Sequence, residues 1–343
     1  MKLEVEKSIY SIAGNNIDRY TISNEKDVSI SILNYGGIIS KISVPDKNKK
    51  SENIILGFED VSKYFCKEYT DNYPYWGAIC GRCANRIGDG RFTLDGQVIE
   101  LNKNNNGSHL HGGNEGFDRK FWDVKVEKQS ESIKLILHYI SKDGEENYPG
   151  ELDCTVIYEL NENHTFSINY KAKTTKPTPV NLTNHTYFNL SGNQTDISKM
   201  RLQVNAKLFT PLNDKLVPLG TIESTKGTKY DLFTPVLLED GFKILPEGYD
   251  FNYVLYDSRK LKHACILKDE ENGRKLEVFT TQPGIQVYSG YWVPKIGNIG
   301  GKFSGIALET QHFPDAPNKP HFPNIILRPA DEYSETTIWK FSF

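Results

Sequence analysis

The stretch SIKLILHYISKDGEENYPGELDCTVIYELNENHTFSINYKAK, Ser132–Lys173, runs through the same pattern three times. Ile133, Leu135, Leu137 and Tyr139 share one parity. So do Leu152, Cys154, Val156, Tyr158 and Leu160, and then Phe166, Ile168, Tyr170 and Ala172. Lys142-Asp143-Gly144 and Asn161-Glu162-Asn163 separate the runs. Alternation with period two, broken by turn residues, is what a strand with one face in a core and the other in water requires. Three such runs in succession predict antiparallel neighbours. Similar runs recur at DVSISILNYGGIISKISV (Asp27–Val44) and RFTLDGQVIEL (Arg91–Leu101), the second with Asp95-Gly96 as a hairpin turn. Helical periodicity is scarce, and GFEDVSKYF (Gly57–Phe65) offers a turn or two. With no repeat, low-complexity block or linker, the expectation is an all-β chain. Residues 1–343 would form one domain, a large antiparallel β-sandwich with few short helices.

The 343 residues carry a formal net charge of -3, which gives no electrostatic footprint for nucleic acid or an anionic membrane. The opening MKLEVEKSIYSIAG lacks the apolar core of a signal peptide. No run approaches the ~18 apolar residues that span a bilayer. The expectation is a cytoplasmic protein, monomer or homodimer, in which Asn181-Leu182-Thr183 is not glycosylated. Five cysteines, an odd number spread thinly, do not make a disulfide framework. Cys80 and Cys83 have the spacing of a metal clip, but no second pair of soft ligands accompanies them. They read as small apolar residues of a buried strand.

The chemistry-bearing segment is VNLTNHTYFNLSG, Val180–Gly192. Read with period two, Asn181, Thr183, His185, Tyr187 and Asn189 fall on one face, opposite Leu182, Phe188 and Leu190. An unbroken polar row of amides, hydroxyls and an imidazole predicts the floor of a polar cleft that hydrogen-bonds a polyhydroxylated ligand. In SGIALETQHFPDAPN, Glu309 ends an apolar strand, where a carboxylate is costly to bury unless paired or functional. TTQPGIQVYSGYW places Gln282, Gln286 and Tyr288 on one parity, and Pro283 argues for an edge or a bulge. His109 and His111 precede Gly112-Gly113, and their shared parity would allow a metal pair. Asp118 and His138 give no third-ligand spacing, so neither metal nor cofactor is expected. One acid, histidines, an arginine and amides suit acid–base work on a neutral sugar.

Taken in order, GRCANRIGDGRFTLDG, HLHGGNEGFDRKFW, GEENYPGELDCTVIYEL, VNLTNHTYFNLSG, EGYDFNYVL, TTQPGIQVYSG and LETQHFPDAPNKPHFPNIIL resemble the aldose 1-epimerases, or galactose mutarotases. NYGGIISKISVPD is similar to that family's opening strands. The resemblance implies a galactose mutarotase-like supersandwich with a sugar cleft. It also implies His185 as general acid, Glu309 as general base, and Asn85, Arg86, His111, Asp250 and Gln286 as sugar-binding residues. The implied reaction opens the ring of a glucose- or galactose-type aldose and recloses it on the other face, with no cofactor or metal. Two departures from the family pattern bear on the pocket wall: Phe251 follows the aspartate, and Tyr291-Trp292 follows Ser289-Gly290. Two other functions fit the same residues. A non-catalytic sugar-binding protein could dispense with His185 or Glu309. A glycoside hydrolase would need a second carboxylate flanking the bond, for which Asp250 is the candidate.

Overall fold

In the computed structural model, which describes residues 1–255 and 259–343, the opening stretch forms three adjacent antiparallel strands. Ser132–Ser141, Leu152–Asn161 and Thr165–Thr174 pair in continuous register, Leu135 opposite Tyr158 and Tyr158 opposite Ile168. The apolar parity from Ile133 to Ala172 is buried, with Tyr139 half-buried. Each buried Leu, Ile, Val or Phe contributes roughly 1.5–3 kcal/mol, so one flipped register would forfeit the whole set. Asp95-Gly96 turns the hairpin between Arg91–Leu94 and Gln97–Glu100, both turn residues at positive φ.

These three strands belong to a nine-stranded sheet. The C-terminal strand Tyr333–Ser342 inserts between Thr165–Thr174 and Lys275–Thr280. A six-stranded sheet runs Tyr187–Phe188, Ile306–Gln311, Gly284–Tyr288, Asp250–Val254, Leu208–Thr210, Glu223–Ser224. Residues 2–53 make a five-stranded antiparallel sheet. Ile285, Val287, Ile306 and Leu308 of the six-stranded sheet share one core with Leu135, Val156, Ile168 and Trp339 of the nine-stranded sheet. The fold is thus the expected antiparallel β-sandwich, and its helices are short, the longest being Leu238–Ile244. Because side chains alternate along a strand, Gln286, Tyr288 and Glu309 are left on the opposite face of the six-stranded sheet. That face carries the site.

Two details differ from the sequence reading and a third agrees with it. Val180–Gly192 is not one strand: only Thr183–Asn184 and Tyr187–Phe188 pair, with different partners. Of its polar row, His185 and Tyr187 do line the cleft, whereas Asn181, Thr183 and Asn189 are buried pins. Asn181 donates to the His312 carbonyl and accepts from the His312 N–H. Thr183 Oγ1 donates to the Thr310 carbonyl, and Asn189 Nδ2 to that of Ser304. Polar side chains supply here the partners that an interrupted ladder leaves missing. Second, Pro283 precedes Gly284–Tyr288, which lies inside the sheet between two neighbours, and Gln282 bonds the Leu182 carbonyl and Tyr333 Oη. Third, Cys80 and Cys83 are free and buried, and burial pushes the Cys83 thiol up to about 12 and raises that of Cys80 as well. Neither is a thiolate at neutral pH, in keeping with the apolar reading.

Arg82, between those cysteines, is also buried. Its guanidinium donates to Ser141 Oγ and to the carbonyls of Ser141, Lys142, Pro149 and Gly150 at 2.8–3.2 Å. It ties the loop after Ser141 to the segment that bears the site. Arg82→Met should therefore lower unfolding stability by about 3 kcal/mol, because several buried carbonyls lose their donor together. Urea denaturation measures this, and a loss below about 1 kcal/mol would contradict the assigned role.

Candidate active site

Glu309 stands in mid-sheet, opposite Gln286 on the neighbouring strand, and Gln286 in turn is opposite Asn252. One row along, Tyr187, Ala307, Tyr288 and Asp250 are aligned in the same way. Gln286 Nε2 donates to Asp250 Oδ1 at 2.6 Å, which fixes both side chains. His185 lies in the gap between the two short paired pieces of its segment. Its N–H donates to the Ala78 carbonyl and its own carbonyl accepts from Gly77 N–H, so its backbone is clamped on both sides. The Asn184 side chain completes the clamp, donating to the Gly77 carbonyl and accepting from the hydroxyl of Thr186. The outcome is that His185 Nε2 lies 3.6 Å from Glu309 Oε1, both residues less than 5% exposed. Among the described residues, the buried atoms His185 Nδ1 and Glu309 Oε2 make no hydrogen bond.

The Asn85-Arg86 pair enters from another direction. Arg86–Ile87 pairs with His109–Leu110, which brings His111 beside Asn85. Asn85 N–H donates to His111 Nδ1 at 3.2 Å, and the His111 N–H donates to the Asn85 carbonyl. Both residues take positive φ to make this turn. Next to them Gly112 has φ +95, and a Cβ there would strike the Gly81 carbonyl oxygen, so only glycine fits. Arg86 Nε donates to Asn105 Oδ1, which aims the guanidinium.

Asn85, Arg86, His111, His185, Asp250, Gln286 and Glu309 all line one cavity of about 330 Å³. A larger depression of about 480 Å³ lies beside Asp89 and Asp315. Those carboxylates are already committed to Lys215 and Lys319, so the chemistry sits in the smaller cavity. His109 points elsewhere, bonded to the Asn102 carbonyl and Tyr148 Oη, and His138 pairs with Asp153 at the surface. The conceivable His109/His111 metal pair is therefore not formed. Phe251 does not wall the cavity either. It has the parity of Val287 and Leu308 and packs on Phe209 and Tyr230. Trp292 does line the cavity. Sequence reasoning missed Tyr73, Tyr75 and Asn105. The Tyr75 ring covers both imidazoles, 4.7 Å from His111 and 5.9 Å from His185 between centroids. The signal was NYPYW, Asn72–Trp76, two tyrosines around a turn-forming proline.

Electrostatics follow from burial. Desolvation raises the Glu309 carboxyl well above the usual range, and nearby Asp250 raises it further, against the pull of Arg86. Asp250 is raised for the same first reason, opposed by Arg86 and Gln286. Burial lowers His185 to about 4 and holds His111 well below its ordinary value, with His185 and Arg86 adding to the latter. Burial thus favours the neutral form of both groups. His111, His185 and Glu309 offer ligand atoms within 4.8 Å of one another, the one such trio among the described residues. Yet His111 Nδ1 already accepts a backbone N–H, so in the neutral ring Nε2 carries the proton. That nitrogen is a donor to an oxygen, not a lone pair for a cation.

A β-sandwich with a carboxyl and an imidazole in an open cavity walled by amides, tyrosines and an arginine is built for acid–base chemistry on a hydroxylated ligand. The family model for aldose 1-epimerase matches residues 18–340. A galactose mutarotase of Rattus norvegicus is 38% identical over 336 residues, 96% of this chain and 95% of the relative. An aldose 1-epimerase of Escherichia coli is 32% identical over 94% of each. The crystal structure of a galactose 1-epimerase from Lactobacillus acidophilus superposes with a TM-score of 0.86 at 27% identity, covering 99% of this chain and 98% of that one. The chain belongs to the aldose 1-epimerase family.

Keeping a raised carboxyl in the site has a pH signature in stability. The folded protein holds the Glu309 proton more tightly than the unfolded chain does. This contribution is fully present below the unfolded carboxyl pKa, about 4.3, and is lost as pH rises through the folded value. Glu309→Gln should therefore melt higher than wild type, with a gain larger at pH 8 than at pH 5. Calorimetry at the two pH values checks this. An equal or negative difference at pH 8 would show that the carboxyl is not held in the neutral form.

Proposed function

We propose that the protein interconverts the α and β anomers of free glucose- or galactose-type aldoses, with Glu309 as general base and His185 as general acid. It does so as a one-domain cytoplasmic enzyme, monomer or homodimer, without metal, cofactor, nucleic-acid or membrane partner. The observation that carries the reading is the 3.6 Å approach of His185 Nε2 to Glu309 Oε1 inside a polar cavity. Opening a cyclic hemiacetal removes the proton of the C1 hydroxyl and delivers one to the ring oxygen. Glu309 takes the first and His185 gives the second. After opening, the proton sits on the carboxyl and the imidazole is neutral, which is the distribution that burial favours in the resting site. Rotation about C1–C2 turns the other carbonyl face to the oxygen, and the same two transfers run backward.

Each step conserves the net charge of the pair, so the two protonation patterns are microstates of one unit. The net charge stays constant, but the carboxylate–imidazolium pair must form before each opening, and burial makes that pair costly. Asn85, Arg86, His111, Asp250 and Gln286 bind the hydroxyls. The His111 Nε2 proton and the Arg86 guanidinium are donors for negative charge developing on oxygen. A hydrolase would want carboxyls on opposite sides of the scissile bond. Glu309 and Asp250 lie on the same face of one sheet, two strands apart, and approach a ring from one side.

Catalytic amounts of protein should speed the approach to rotational equilibrium of freshly dissolved α-D-glucose or α-D-galactose. Glu309→Gln should slow anomer exchange by about 10²–10⁴-fold while sugar still binds. His185→Asn should do the same and abolish the bell shape of the pH profile, which belongs to the coupled pair. Polarimetry with calorimetric binding reads all of this, and unimpaired exchange in folded Glu309→Gln would overturn the assignment.

A further inference from the structure

Of the two family departures, the one that reaches the cavity has no part in the mechanism above. Trp292 is 71% exposed, whereas Trp76, Trp122 and Trp339 are at most 2% exposed. An isolated exposed apolar residue needs no explanation, but this one is held in place. Its backbone N–H donates to Tyr288 Oη at 2.8 Å, and Tyr288 is itself a wall of the cavity. Val293, the next residue, is buried. The indole meets the Tyr291 ring edge-on at 4.7 Å, and Tyr291 is backed by Phe303 at 5.8 Å and by the Lys302 ammonium at 4.2 Å. The side chain therefore has a fixed base and a large open surface at the mouth of the sugar site. Asn72 and Asn106 are also exposed at that mouth, and the Asn106 side chain makes no hydrogen bond among the described residues.

We propose that Trp292 is the platform of an outer sugar subsite, which takes the second ring of a reducing disaccharide or longer oligosaccharide. The proposal rests on the mutarotase reading of the inner cavity. The reaction needs only a free C1 hydroxyl and ring oxygen, and these must lie at Glu309 and His185, both at most 4% exposed. Exposure then increases from that pair to Trp292, so a substituent on the far side of the first ring leaves through the mouth. A pyranose has an apolar C–H face and a polar rim. Trp292 offers the face an aromatic partner, and the rim amides of Asn72 and Asn106 offer the hydroxyls donors and acceptors. Their place at the rim of the cavity lets them act on chain length without taking part in proton transfer.

Mutarotation of α-lactose or α-maltose and of α-D-glucose is followed by polarimetry in wild type, Trp292→Ala and Trp292→Phe. The disaccharide-to-glucose ratio of kcat/KM should fall about tenfold in Trp292→Ala, through KM rather than kcat, and be largely restored in Trp292→Phe. An independent reading is fluorescence. Trp292 is the one exposed indole of the four, so bound lactose should shield it from iodide quenching while glucose does not. An unchanged ratio in Trp292→Ala, or equal quenching with lactose and glucose, would overturn the outer subsite. Wild type that accelerates no aldose would instead defeat the mutarotase reading, and the quenching would still judge whether a second ring stacks on Trp292.

Discussion

A carboxyl buried against a neutral imidazole is the constraint around which the rest of the molecule is arranged. Charging Glu309 in its present surroundings is unfavourable, and so is charging His185, because neither has water to solvate the ion. In the proposed opening, where the carboxyl takes one proton and the imidazole gives another, the two moves are therefore cheapest when they happen together. The 3.6 Å separation is too long for a hydrogen bond between them, so each is free to address its own substrate oxygen. Arg86 opposes the carboxyl shift and Asp250 reinforces it, so the environment sets a balance rather than an extreme.

Holding that pair demands rigidity on both sides, and the two sides obtain it differently. Glu309 is placed by regular sheet geometry: it sits on a strand paired with Gly284–Tyr288, and its parity follows from the burial of Ile306 and Leu308. His185 is placed by irregular backbone that no ladder satisfies. There the polar side chains of Asn181, Thr183, Asn184 and Asn189 supply the missing partners. Such buried networks are costly when incomplete and strongly specifying when complete. The Asn85–His111 turn belongs to the same type, two positive-φ residues locked by reciprocal bonds. Precision at the site comes from hydrogen-bonded loops laid on a rigid sheet.

Wherever burial is one-sided, the sequence was readable. The alternation from Ile133 to Ala172 predicted three strands whose observed limits lie within a residue or two of the pattern, because period two has a single structural meaning when one face is wet. The same logic failed in Val180–Gly192. All of its residues from 180 to 190 are buried, so polarity there records hydrogen bonds to backbone rather than contact with solvent. A buried Asn that pins a loop and an Asn that binds a sugar are the same letter. Tyr75 was missed because its neighbours in the site, His111 and His185, lie far from it in the chain.

The sequence by itself determined the β class, the parity that puts Ile285, Val287, Ile306 and Leu308 in the core, and, through resemblance, the residue types that gather in the cavity. Those depend on local periodicity and on ordered motifs, which one chain records directly. Tertiary structure alone decided which polar groups face the cavity and which brace it. It separated His111 from His109, Gln286 from Gln282 and Trp292 from Phe251, members of pairs that look alike on paper. It also set the protonation of Glu309 and His185. That depends on distance from water and from charges brought near by pairing of remote strands, quantities that spacing along a chain does not contain.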